Sequence, residues 1–207
     1  MNIDNLRAAA SRDDYPSMAR LARALYGTGL GPREVLRECY GVDLPDEFFL
    51  LYEADPELLF HFTNQPAKLA TPLDRGGPPE PNPMSKNERD VVARDPDLLP
   101  IVQCVNDRAG FGGKFLCYRL SELEAGRPTV FVVEYYPTAD SPVTRAADSL
   151  LAGLHAHHTA HLAWLEKEDR ATASHSGGGT VTEESLTVAQ EFLVEIEDLR
   201  RRLSRPH

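Results

Sequence analysis

At 207 residues, 42% of them hydrophobic, the chain is long enough for one well-cored domain with an appendage and too apolar for a disordered one. A net charge of −10, from 32 acidic and 22 basic residues, disfavours nucleic acid and anionic membranes as partners and favours basic surfaces. No run approaches ~18 consecutive apolar residues, so no membrane span is expected; the early acids of MNIDNLRAAASRDDY do not fit a signal peptide, and a cytoplasmic location is the expectation.

YPSMARLARALYG predicts a helix with Met18, Leu21, Leu25 and Tyr26 near three-four spacing, stopped by Gly27 and Gly29. GPREVLRECYG repeats the design, with Pro32 at its start, Val35, Leu36 and Cys39 inward and Gly41 at its end. LPDEFFLLYEAD (44–55) predicts a third helix. Pro45 fits its first turn, where a missing N–H costs nothing, and Asp46 and Glu47 place negative charge at the positive end of the dipole. Leu44, Phe48 and Leu51, flanked by Phe49 and Tyr52, give it a wide apolar face. PELLFHF (56–62) either extends this helix or begins a strand; both stay open.

Six prolines between Pro66 and Pro83 predict a long surface loop, and SKNERDVVARDP (85–96) a short helix with a Ser85–Glu88 capping box. LPIVQCV (99–105) and KFLCYRL (114–120) then read as strands paired across the glycine-rich turn NDRAGFGGK. SELEAGR (121–127) is a short connection, and PTVFVVEYY (128–136) has the composition of a buried strand. A long helix follows in AADSLLAGLHAHHTAHLAWLEKE (146–168), with Leu150, Leu151, Leu154, His158, Leu162 and Leu165 as its inward stripe. ATASHSGGG (171–179) has linker composition. Beyond it, Thr180 and Glu183 cap an amphipathic helix whose apolar face is Ala189, Phe192, Leu193, Ile196, Leu199 and Leu203. That face must bury against the protein's own body, a second copy in a homodimer, or another protein; the three alternatives stay open.

The fold class expected is α+β: an antiparallel sheet of about five strands with helices covering one face, and an appended C-terminal helix. The corresponding division is a domain over 1–168, a flexible linker over 169–180 and the helix over 181–204.

Chemical motifs are sparse. Cys39, Cys104 and Cys117 have no metal-site spacing and read as free thiols. His157 and His161 are four apart on one helix, but His158 stands where a zinc-protease pattern needs glutamate, and its position in the leucine stripe explains the run without a metal. Arg108 and Phe115 occupy positions where a phosphate loop needs glycine and a hydroxyl, so the glycine turn is a hairpin. No catalytic residue, metal or cofactor is expected. The acidic stretch stands out: Asp43, Asp46, Glu47, Glu53, Asp55 and Glu57 follow one another without a base. Helix-start chemistry accounts for the first three. Glu53, Asp55 and Glu57 fall at the negative end of the helix, where acids are mildly unfavourable, and a partner with a basic cleft supplies the missing reason. All six are candidate partner-binding residues.

A short helix entered through Leu44-Pro45, a β-meander with a glycine turn and then a long helix together resemble the SUKH superfamily over roughly Tyr26 to Leu165. That is the family of the fungal Smi/Knr cell-wall regulators and of many bacterial toxin-immunity proteins. The resemblance implies a protein-binding role without catalysis: an immunity protein that blocks the cleft of a basic, nucleic-acid-targeting toxin. The alternatives are a regulatory or scaffolding adaptor without a toxin partner, and an enzyme with a scattered site. The proline-rich loop and the C-terminal helix depart from the family pattern.

Overall fold

Three-four apolar spacing near the N-terminus produces a run of short helices in the computed structural model, which describes residues 2–54, 61–104, 113–136, 138, 140–173 and 183–204. Helix α1 (Ile3–Ala9) is capped by the Asn2 side chain, which accepts the Asp4 N–H at 3.1 Å. Helices α2 (Tyr15–Tyr26) and α3 (Pro32–Tyr40) follow, and Gly41 ends α3 at a φ of 75°, a conformation that side-chain-bearing residues rarely adopt. Helix α4 (Asp46–Ala54) begins one residue after Pro45, so the proline precedes the first turn instead of lying within it. The predicted inward residues Met18, Leu21, Leu25, Val35, Leu36, Phe48 and Leu51 are buried, whereas Cys39, also predicted inward, is half-buried. Phe48 packs edge-on against Phe49 and Phe62, with ring centroids 5.1 and 5.8 Å apart.

Four strands, β2 (Leu98–Cys104), β3 (Lys114–Arg119), β4 (Val130–Glu134) and β5 (Thr144–Ala147), form an antiparallel meander in sequence order. The two-residue segment β1 (His61–Phe62) pairs with Gln103 and Val102 along the outer edge of β2. Leu116, Tyr118 and Val130 face the main helical core. Their alternating neighbours Phe115, Cys117 and Val133 face the other way, where Val91 of helix α6 (Lys86–Arg94) covers them. Helices therefore lie on both faces, not on one. The reason is the strands' continuous apolar sequence, which leaves neither face fit for water.

The stretch 66–83 is not one loop. Helix α5 (Asn64–Leu69) and a 3-10 turn (Leu73–Arg75) occupy part of it. Pro66 falls in the first turn of α5, where no intrahelical N–H is needed, and Leu69 is anchored in the core while its carbonyl accepts the Tyr26 hydroxyl at 3.0 Å. The predicted capping box of α6 is present: Ser85 Oγ accepts from Glu88 N at 3.2 Å, and Glu88 Oε2 from Ser85 N at 2.7 Å. The connection 121–127 contains a short helix, α7 (Leu120–Glu124). Most of the glycine turn lies outside the described residues. Gly113 is described, and a Cβ there would come within 3.2 Å of Tyr135 and 3.3 Å of the Cys104 carbonyl, so close strand approach explains that glycine.

Helix α8 (Leu150–Ala173) starts later than predicted because Thr144–Ala147 pairs with β4, and it continues through 173, past the start of the expected linker. Residues 174–182 lie outside the described residues. Helix α9 (Glu183–Leu203) is not an appendage in its packing. Phe192, Ile196 and Leu199 belong to the main core, and Ala189 packs with Leu165 of α8. Its apolar face lies on α8 and α4 of its own chain, the first of the three alternatives left open by the sequence. Among the described residues no helix is long and apolar enough to cross a membrane.

Because Phe192 is part of the core, Phe192→Ala is expected to cost about 3–5 kcal/mol. Chemical denaturation of the full chain measures this; a change below about 0.5 kcal/mol contradicts the docked position of α9.

Candidate functional site

The acidic stretch becomes a two-sided helix. Asp46, Phe49, Leu50 and Glu53 recur at helical spacing along the outer side of α4, while Glu47, Phe48 and Leu51 face inward. Asp46 and Glu53 are exposed, and so is Asp43 in the turn before the helix. Glu47 is not a surface acid. It is 6% exposed, and its Oε2 accepts the backbone N–H of Leu151 at 2.7 Å, at the start of α8. Burial raises its pKa. Hydrogen bonds from Leu151, Ser149 and Leu150 and the charge of Arg200 pull it down but do not overcome the loss of water. Asp55 and Glu57 lie outside the described residues.

The fold also brings bases that a reading of neighbouring residues misses. Arg33 Nη1 lies 2.8 Å from Asp46 Oδ1, and Arg37 Nη1 lies 3.9 Å from Asp43 Oδ1. The Arg33 guanidinium also sits 4.1 Å above the centroid of Phe49. A signal was present in the sequence: Arg33 and Arg37 are four apart on α3, opposite the buried Val35 and Leu36, on the helix that directly precedes the acidic one. Arg202 and Leu203 had no such signal, because only the docking of α9 brings them to α4.

Two grooves flank the Arg33–Asp46 pair, which lines both. One, of about 610 Å³, runs beside the 41–45 turn, with Leu44 and Leu123 in its lining and Asp43 and Glu124 contributing charge. The other, of about 540 Å³, lies between α4 and the end of α9, lined by Phe49, Leu50 and Leu203 with Glu53 and Arg202. Leu203 is 41% exposed. The surface thus combines apolar lining with charges of both signs, with the exposed Arg33–Asp46 pair shared by the two grooves.

The cysteines are not set up as nucleophiles. The three cysteines are free, and Cys104 and Cys117 lie in clusters on opposite faces of the sheet. Burial pushes the Cys39 and Cys104 thiols up to about 12, far from the thiolate a nucleophile needs. No group of three or more His, Cys, Asp or Glu side chains is placed to hold a metal ion among the described residues. Comparison with family models, curated proteins and solved structures finds no match to this chain.

The placements of Glu47 and Glu53 predict opposite behaviour. Glu47→Ala leaves a buried amide without its acceptor and is expected to cost about 1–3 kcal/mol, whereas Glu47→Gln keeps an acceptor and recovers much of that. Glu53→Ala is expected to change stability by less than about 0.5 kcal/mol. Urea titrations of the three variants measure the order; equal losses for Glu47→Ala and Glu53→Ala contradict it.

Proposed function

We propose that the outer face of α4 is a protein-docking surface, and that this chain is an immunity protein of the SUKH type, acting in the cytoplasm. It neutralises a basic, nucleic-acid-targeting toxin by covering its cleft. The observation that supports this best is the stripe of Asp46, Phe49, Leu50 and Glu53, which lines one groove and shares Asp46 with a second. The half-buried Phe49 and Leu50 supply apolar area that dehydrates on binding, while the carboxylates steer a basic partner and take the place of the phosphates its cleft normally holds. The SUKH assignment itself rests on the Leu-Pro helix, the meander and the long helix that follows.

Arg33 and Arg37 modify the electrostatic part of the proposal. They offset Asp46 and Asp43 locally, so Glu53 and the overall charge of −10 carry more of the steering. The Arg33–Asp46 pair is solvent-exposed on both sides and therefore cheap to exchange for a partner's cation.

Co-purification of the full chain with the product of the adjacent gene tests the assignment. A complex is expected, with an association rate that falls roughly 10- to 1,000-fold as salt rises from about 50 to 500 mM. Asp46→Lys with Glu53→Lys is expected to slow association about tenfold or more while leaving the fold intact. Association that is flat with salt and indifferent to these charge reversals removes α4 as the docking face. A gene with no toxin beside it favours the adaptor reading of the same surface.

A further inference from the structure

The histidine run on α8 is not accounted for by partner docking. His158 is 2% exposed and His161 9%, and α9 closes over this part of α8. The His158 ring lies 4.2 Å from the Phe192 ring of α9, centroid to centroid, and 5.0 Å from His157. His161 stacks on Trp164, 6.1 Å away. Neither ring nitrogen of His158 has a hydrogen-bond partner among the described residues. A buried imidazole normally spends its N–H on an acceptor, and with none present a charge on His158 has nothing to compensate it.

We infer that the seam between α8 and α9 is an acid-sensitive latch, in which protonation of His158 loosens its contact with Phe192 and raises the share of molecules in which α9 is released from the body. The groups facing this seam come from four elements. On α8 itself, His155, His157 and His161 all repel a charged His158 once they are protonated. From α9 come the apolar Phe192 and the carboxylate of Glu197, which lies 3.2 Å from His155 Nε2 and 2.8 Å from Arg200. Lys114 of β3 bears on His157. Glu47 of α4 sits at the first turn of α8.

Burial, followed by the neighbouring imidazoles, holds His158 down to about 3. Burial, then Lys114 and His161, hold His157 down to about 4. Lys114 and His161 stay in place when α9 leaves, so His157 is not counted, whereas His158, reached by water, returns toward the ordinary value of ~6.5. The docked state therefore prefers a neutral His158, and docking has its full strength above pH ~6.5 and weakens as pH falls below it, by up to about tenfold per pH unit. At pH 5 the loss from a full return is about 30-fold. One group opposes this. Glu47, whose pKa burial raises, favours the acid side, yet it acts on the contact between α4 and α8 and not on α9. Release uncovers Phe192, Ile196 and Leu199 as one apolar stripe.

Amide hydrogen exchange of the full chain between pH 7 and 5, corrected for the intrinsic pH dependence, tests the latch. Protection of α9 is expected to fall by up to about 30-fold while that of β2, β3 and β4 holds, and the fluorescence of Trp164, the chain's single tryptophan, is expected to shift with it. His158→Leu is expected to abolish most of the pH dependence. If that variant does not fold, NMR titration of the wild-type His158 ring decides instead: neutral in the docked protein well below pH 6 is the expected result. The inference is overturned if α9 protection is flat with pH, if strands and α9 lose protection together, or if His158 titrates near 6.5.

Discussion

The carboxylate of Glu47 at the start of α8 holds two distant parts of the chain in one arrangement. A helix leaves its first four N–H groups without internal partners, and at the start of α8 Leu150 and Leu151 are buried, so the Leu151 N–H needs an acceptor from the protein. Glu47 reaches across 104 positions of sequence to accept the Leu151 N–H at 2.7 Å, placing an anion at the positive end of the dipole. The arrangement carries a strain that its pKa records: the carboxylate is desolvated more than its hydrogen bonds repay. Fixing α4 to α8 in this way creates the cleft between them on which α9 packs.

The same contact defines what α4 can present to the outside. With Glu47, Phe48 and Leu51 committed inward, helical geometry turns Asp46, Phe49, Leu50 and Glu53 outward as a set. Arg33 braces that set through an ion pair to Asp46 and a cation–π contact to Phe49. Both interactions are at the surface, so they order the groove without sealing it. Core and solvent-facing surface are two sides of one nine-residue helix, and a change on its inner side moves the outer one.

A comparable division runs along α8. Its leucines belong to the core, and His158 occupies a position among them that a leucine would fill at no electrostatic risk. The imidazole packs adequately while neutral and badly when charged, which makes the closure of α9 conditional on proton concentration rather than fixed by apolar burial alone.

The sequence by itself determined those features that depend on spacing within one element. The inward residues of α2, α3 and α4, the Ser85–Glu88 capping box, the strands at 99–104 and 114–119, and the place of His158 in an apolar stripe all follow from local periodicity and capping chemistry. Pro66 misled because a proline in a first turn looks, in sequence, like a proline in a loop. Only the tertiary structure decided which acids are surface acids. Glu47 and Asp46 are neighbours in an acidic run, and one is buried against a helix start while the other meets Arg33. Only the tertiary structure, too, placed α9 on α8 and α4 and brought Arg202 and Leu203 to the groove. The physical reason is that an apolar face or a carboxylate specifies the kind of partner it needs, a dehydrated surface or a donor, but not which one. That choice is made where distant segments compete for the same contact, and no local pattern records its outcome.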